Sequence, residues 1–197
     1  MTQTTDYELE KRTQGGDKEA FAELYRRYQG SVYGFALQMT GVRELAEDVT
    51  QEVFMVLIRR TALYDENRGS LRAFLLGVTK NHVLRRLKQE RPFVSIESAA
   101  DEPAILGHSE IDLVIHHQSM REMCRAILSL PSHYREVVVL CELQELSYAE
   151  AAEALGCAIG TVRSRLHRAR IMLTEKLSSS REDRATVKEI ESERCFA

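Results

Sequence analysis

Two basic stretches hold the residues best suited to do chemistry in this chain. Lys80 to Arg91 carries five basic residues (Lys80, Arg85, Arg86, Lys88, Arg91) against one acid, Glu90. Ala158 to Lys176 carries another five (Arg163, Arg165, Arg168, Arg170, Lys176) against Glu175 alone. Cations at that density grip phosphates, and the arginine fork also matches the paired acceptors of guanine in the major groove. Between them, Pro92 to Met120 holds five acids and no Lys or Arg. One charge run is ordinarily a solvated helix face. Two, split by an acidic connector, point to two DNA-facing modules that the net charge of −3 conceals.

Other chemistries find no comparable footing. His82, His108, His116, His117 and His133 offer no H-E-x-x-H spacing, and no glycine-rich phosphate loop occurs. Cys124, Cys141, Cys157 and Cys195 are scattered without a close pair, which argues against a zinc site and a disulfide framework. Cys124 and Cys141 have apolar neighbours and read as small core residues; Cys195 reads as an incidental thiol in a polar terminal segment. No catalytic residue, metal or cofactor is expected. No apolar run approaches the roughly 20 residues that span a bilayer. Met1 to Glu10 is polar and acidic, unlike a signal peptide. The expectation is a cytoplasmic protein without membrane insertion.

The elements that must position the basic residues read as helices throughout. Gly15-Gly16 breaks a short first helix and Asp17 caps a second, where Phe21, Leu24, Tyr25, Tyr28, Val32, Phe35 and Met39 recur at helical spacing up to Gly41. A third runs from about Arg43 to Arg60. A fourth starts after Ser70 and stops before Pro92. Phe93 to His108 has no period and reads as a linker. Ser109 with Asp112 marks the start of a helix that turns Ile111, Ile115, Met123, Ile127 and Leu130 inward and closes at Pro131. Ser132 to Glu145 follows, with Tyr134, Val137, Val138 and Cys141 inward.

Ser147 and Glu150 then form a capping box for a short helix that Gly156 ends. After Cys157, Ala158 and Ile159 a long helix runs from about Gly160 to Leu177, which is the helix-turn-helix layout. At 100° per residue, Val162, Leu166, Ala169 and Leu173 share one face, within about 60° of one another, and must be core. Ser164, His167 and Arg168 lie opposite, flanked by Arg163 and Arg170. Ser178 to Ala197 is polar, with mixed charge, and reads as a frayed helix or tail.

These residues also carry a resemblance. Leu130-Pro131, Tyr134 to Val137, Leu146 to Ala152 and above all Gly160 to Arg170 (GTVRSRLHRAR) resemble the promoter-reading domain of the extracytoplasmic-function group of bacterial sigma factors. Gly16-Asp17, Ala20-Phe21, Leu24-Tyr25, Tyr28 and Ala46 to Phe54 (AEDVTQEVF) resemble the family's first domain. The resemblance implies that Glu47, Asp48, Gln51, Glu52 and Phe54 bind core RNA polymerase, whose β′ and β subunits would be partners. It implies that Tyr64, Asp65, Asn67, Arg68, Lys80, Asn81, Arg85, Arg86 and Lys88 melt and capture the minus-ten element of promoter DNA. A base drawn from the stack needs stacking and hydrogen-bonding groups, which Tyr64, Asp65 and Asn67 offer. Thr161, Arg163, Ser164, Arg165, His167, Arg168 and Arg170 would read the minus-thirty-five element. An anti-sigma factor is compatible with the resemblance, though the sequence names none.

Phe74 stands where the family usually has tryptophan, Arg85 where aspartate is common, and Ala151 where isoleucine is common. Ala158 leaves the long helix without a side-chain cap, a loss of about 1 kcal/mol. The expected fold class is all-α, with two small helical domains joined by a flexible acidic linker, the second a helix-turn-helix domain. The expected boundaries are 1–92 for the first domain, 93–118 for the linker, 119–177 for the second domain and 178–197 for a tail. An ordinary helix-turn-helix regulator would have no need of the Glu47 to Phe54 helix or the melting loop, and an enzyme has no constellation to build on.

Overall fold

The computed structural model describes residues 4–59, 64–65, 69–89 and 110–194, with side chains placed at 119–178 within the last stretch. Every regular element in these residues is helical: α1 (Asp6–Gln14), α2 (Lys18–Thr40), α3 (Arg43–Arg59), α4 (Leu71–Gln89), α5 (Glu110–Leu128), α6 (Ser132–Val138), α7 (Tyr148–Leu155) and α8 (Ile159–Arg194). The starts are set by side-chain caps. Thr5 and Glu8 form a reciprocal capping box on α1, Asp17 Oδ1 accepts from the amides of Glu19 and Ala20, and Ser147 with Glu150 repeats the box on α7. Such a cap satisfies amides that the first turn leaves orphaned. Gly41 (φ 73°) ends α2 and Gly156 (φ 66°) ends α7, both in the left-handed region that a side chain disfavours.

α2, α3 and α4 pack around Leu24, Val32, Phe35, Met39, Val49, Val53, Leu71 and Leu76, all buried. α6, α7 and α8 close over Leu130, Leu140, Ala151, Val162, Leu166 and Ala169. These are not two separate cores, because one apolar cluster runs through both halves. α7 lies against α4, so close that a Cβ at Gly77 would sit 3.0 Å from the carbonyl oxygen of Ala154. At the other end of the contact, the Arg135 guanidinium donates to the main-chain carbonyls of Met39, Leu128 and Leu130, tying α6 to the last turn of α2. Burial lowers the pKa of Arg135, and three carbonyl acceptors keep the charge solvated by protein.

Two expectations need correction. Met123 is 38% exposed rather than inward. The helix expected over Ser132–Glu145 ends at Val138 and continues as a π turn, Val139–Leu143, closed by Gln144 N on Val139 O at 2.9 Å. The extra residue of that turn lets Leu146 drop into the core before α7 starts. α8 runs on to Arg194, so the stretch read as a frayed helix or tail is helical as far as that residue. The linker residues 93–109, Asn67, Arg68 and Cys195 lie outside the described residues.

Candidate nucleic-acid interface

α8 carries the clearest site. Val162, Leu166 and Ala169 are buried and Leu173 packs partly against them, so Arg163, Ser164, His167, Arg168 and Arg170 are left on the solvent side. Ala158 occupies the position before the helix; its carbonyl accepts from Thr161 N at 2.9 Å and Val162 N at 3.2 Å, and no side chain caps those amides there. Thr161 and Arg165 are half-buried at the edges of the face. Tyr148 of α7 lies under Arg163, 5.9 Å from ring centre to guanidinium carbon, and Glu142 pairs with Arg170. Each contact ties one arginine of the face to a neighbouring element. An extended guanidinium row on one helix face can reach base edges and flanking phosphates together.

The second basic stretch has a different setting. Tyr64, Phe74, Lys80 and Asn81 line a cavity of about 340 Å³ whose far wall is Glu153, Ala154 and Gly156 of the α7 end. Tyr64 and Phe74 rings lie 5.9 Å apart, and Tyr64 Oη donates to Gly69 O at 3.2 Å. Asp65 sits at the same cavity. Lys80 Nζ donates to Leu155 O at 3.2 Å, and Ser70 Oγ is 3.2 Å from Glu150 Oε1. Four of the residues expected to capture a melted strand, Tyr64, Asp65, Lys80 and Asn81, thus come together in space, but under α7. Lys88 is exposed on the last turn of α4.

On α3, Glu47, Asp48 and Gln51 are exposed and Glu52 is half-buried. Phe54 is not on that face. It is 2% exposed, and its ring packs 4.7 Å from Tyr25 and 6.3 Å from Phe21 of α2. α3 lies between α2 and α4, so its buried stripe is wide enough to take Thr50 and Phe54 as well as Val49 and Val53. The exposed apolar neighbours of the acidic residues are Met55 and Ile58.

Glu52 meets the α4 arginines directly. Its Oε2 lies 2.6 Å from His82 Nδ1 and 3.3 Å from Arg85 Nη2, and its Oε1 pairs with Arg86. Partial burial raises the Glu52 pKa, but hydrogen bonds from His82 and Arg86 outweigh it and hold the carboxyl below its ordinary value. Sequence reasoning missed His82, although its i,i+3 and i,i+4 spacing to Arg85 and Arg86 set it on their side of α4. It also missed Glu136, buried on α6, whose carboxyl is raised by burial against the opposing pull of Lys80, Arg165 and Arg135. Among the described residues no cluster of His, Cys, Asp and Glu could hold a metal, and no helix is long and apolar enough to cross a membrane.

The comparisons with known proteins fall on the same segments. Residues 24–93 match the family model for Sigma-70 region 2, and residues 120–173 match that for Sigma-70, region 4. The chain is 30% identical over 177 residues to the ECF RNA polymerase sigma factor SigW of Bacillus subtilis, covering 85% of this chain and 94% of the relative. It is 32% identical over 187 residues to the RNA polymerase sigma-H factor of Pseudomonas aeruginosa, covering 90% and 96%. Among solved structures it resembles the sigma factor RpoE of Bartonella quintana, crystallised with the anti-sigma factor NepR: TM-score 0.66, 27% identity, 80% of this chain and 96% of that one. With both regions matched and relatives aligned over nearly their whole length, the chain belongs to the extracytoplasmic-function group of the sigma-70 family, the factors that direct RNA polymerase to promoters and start transcription there.

Proposed function

We propose that three faces of this sigma factor divide its work. Glu47, Asp48, Gln51 and Glu52, with Met55 beside them in place of Phe54, dock on a basic surface of core polymerase. Tyr64, Asp65, Asn67, Arg68, Lys80, Asn81, Arg85, Arg86 and Lys88 take the minus-ten strand. Thr161, Arg163, Ser164, Arg165, His167, Arg168 and Arg170 read the minus-thirty-five element. The protein contributes binding and positioning, with no catalytic step of its own, and works beside polymerase in the cytoplasm. NepR in the complex of the Bartonella relative supports an anti-sigma factor as a further partner.

The observation that carries this reading is the two-sidedness of α8. Ser164, His167 and Arg168 are exposed opposite buried Val162, Leu166 and Ala169, with exposed Arg163 flanking them, so the cations have no structural duty to the core. Run-off transcription from a matched promoter set, with polymerase affinity measured alongside, tests it. Arg168→Ala keeps polymerase affinity. If the lost contact is to a base, output falls by about 1–3 kcal/mol at promoters matched there, and preference at that position relaxes. If it is to a phosphate, all promoters weaken alike. Gln51→Ala does the reverse, weakening polymerase binding and leaving promoter preference intact. Equal loss of polymerase capture in both variants would defeat the division of labour.

A further inference from the structure

Glu52 stands in two of these faces at once. It lies on the acidic side of α3, one residue from exposed Gln51, yet its carboxylate is occupied by three α4 side chains. Both oxygens are used: Oε1 by Arg86, Oε2 by His82 and Arg85. Arg85 in turn lies 2.9 Å from His82 Nδ1, so the four groups form one network rather than separate pairs. The same residues, with Asp48, Gln51, Met55 and Arg59, line an open groove of about 640 Å³ between α3 and α4. Arg85 is one helical turn beyond Asn81 and so continues the strand-facing side of α4. A carboxylate beside it offsets the charge that phosphates would meet, and pulls the guanidinium toward α3 and away from that side.

We infer that Glu52 couples polymerase docking to strand capture: in the unbound factor it holds Arg85 and Arg86, and the basic polymerase surface takes the carboxylate from them. The arginines then turn to the backbone of the melted strand only in the assembled holoenzyme. This rests on the docking reading proposed above for α3. It predicts weak binding of nucleic acid by the unbound factor despite its cationic ridge. A phosphate cannot enter the network without displacing Glu52, whereas a partner's cation can replace the arginines on the carboxylate and leave two guanidiniums whose counter-charge the strand phosphates then supply.

The test uses a fluorescein-labelled single-stranded 12-mer of mixed sequence and the full chain, alone and in holoenzyme. In the unbound factor Glu52→Gln binds the 12-mer several-fold more tightly, on the order of 5–10-fold, with a steeper salt dependence as more phosphates are neutralised. Adding Arg85→Ala and Arg86→Ala to Glu52→Gln removes that gain. Glu52→Gln also weakens polymerase capture, so holoenzyme is formed at saturating polymerase; there its gain in 12-mer affinity over the parent shrinks to about twofold or less, because in the parent polymerase already holds the carboxylate. An unchanged affinity in the unbound variant overturns the inference. So does a gain that survives loss of both arginines, or a gain of equal size in holoenzyme. Circular dichroism melts check that the variants are folded. Gln51→Ala lies outside the network, so unchanged polymerase affinity in that variant defeats the docking reading by itself.

Discussion

Lys80 Nζ of α4 donates to the carbonyl oxygen of Leu155 in the last turn of α7, at 3.2 Å, so a cation expected on the strand instead caps a helix of the other half. The last carbonyls of a helix lack intrahelical donors and carry partial negative charge, and an ammonium there answers both. The contact is reinforced by Ser70 on Glu150 and by Arg72 Nη2 on Gln144 Oε1 at 3.3 Å. On the proposed minus-ten reading, a DNA strand and α7 would compete for one surface.

Gly77 is where that competition can be biased. A Cβ there would be 3.0 Å from the Ala154 carbonyl, so Gly77→Leu forces α4 and α7 apart while improving the helix propensity of α4 itself. Amide exchange over Tyr148–Leu155 is expected to speed by about tenfold or more, with exchange in α2 and α3 little changed. Uniform slowing across α7 would contradict the packing described.

Phe54→Ala should act on stability and not selectively on polymerase binding. The ring is buried against Phe21 and Tyr25, so its removal leaves a cavity costing about 3–5 kcal/mol. Chemical denaturation reads the loss directly. Wild-type stability combined with weakened polymerase capture would return Phe54 to the docking face.

Glu136 gives the fold a definite pH dependence. Burial raises its carboxyl pKa in the folded state, more than Lys80, Arg165 and Arg135 lower it. The native state thus holds a proton that the unfolded chain has already lost, and this group's contribution to stability falls as pH rises from the ordinary carboxylate value through the raised folded value. Glu136→Gln should stabilise the protein at neutral pH and lose that advantage in acid below the ordinary value. Urea midpoints of the two proteins at pH 4 and pH 7.5 make the comparison; a larger gain at the lower pH would reverse the sign.

Ala158→Ser supplies the cap that α8 lacks. Ala158 is exposed and its carbonyl already accepts the first helical amides, so a hydroxyl at that position can take one more orphan donor. The expected gain is about 1 kcal/mol in a thermal or urea melt, with promoter output unchanged.

The local features were legible because they are encoded within a few residues. Ser147 with Glu150, Gly156, and the Val162/Leu166/Ala169 stripe announced α7 and α8 through capping and periodicity alone. What escaped depended on distant partners. Phe54 follows Val53 beside an acidic run and reads as exposed until α2 brings Phe21 and Tyr25 over it. The Glu52 network joins residues thirty or more positions apart, and no period reports such a meeting. The π turn at Val139–Leu143 escaped for a third reason: nothing in VLCEL distinguishes it from one more turn of α6.

The unbroken apolar cluster linking α2 to α8 makes this factor a poor donor of spare parts. A helix-turn-helix grafted from it onto a relative's first half would meet a side chain wherever that relative lacks a glycine at the position of Gly77. Arg135 would also need a helix ending where α2 ends, to receive it as Met39 does. Hybrid factors that swap promoter preference must carry over the seam as well as the reading head, and the natural place to cut such hybrids is along matched α4 and α7 surfaces.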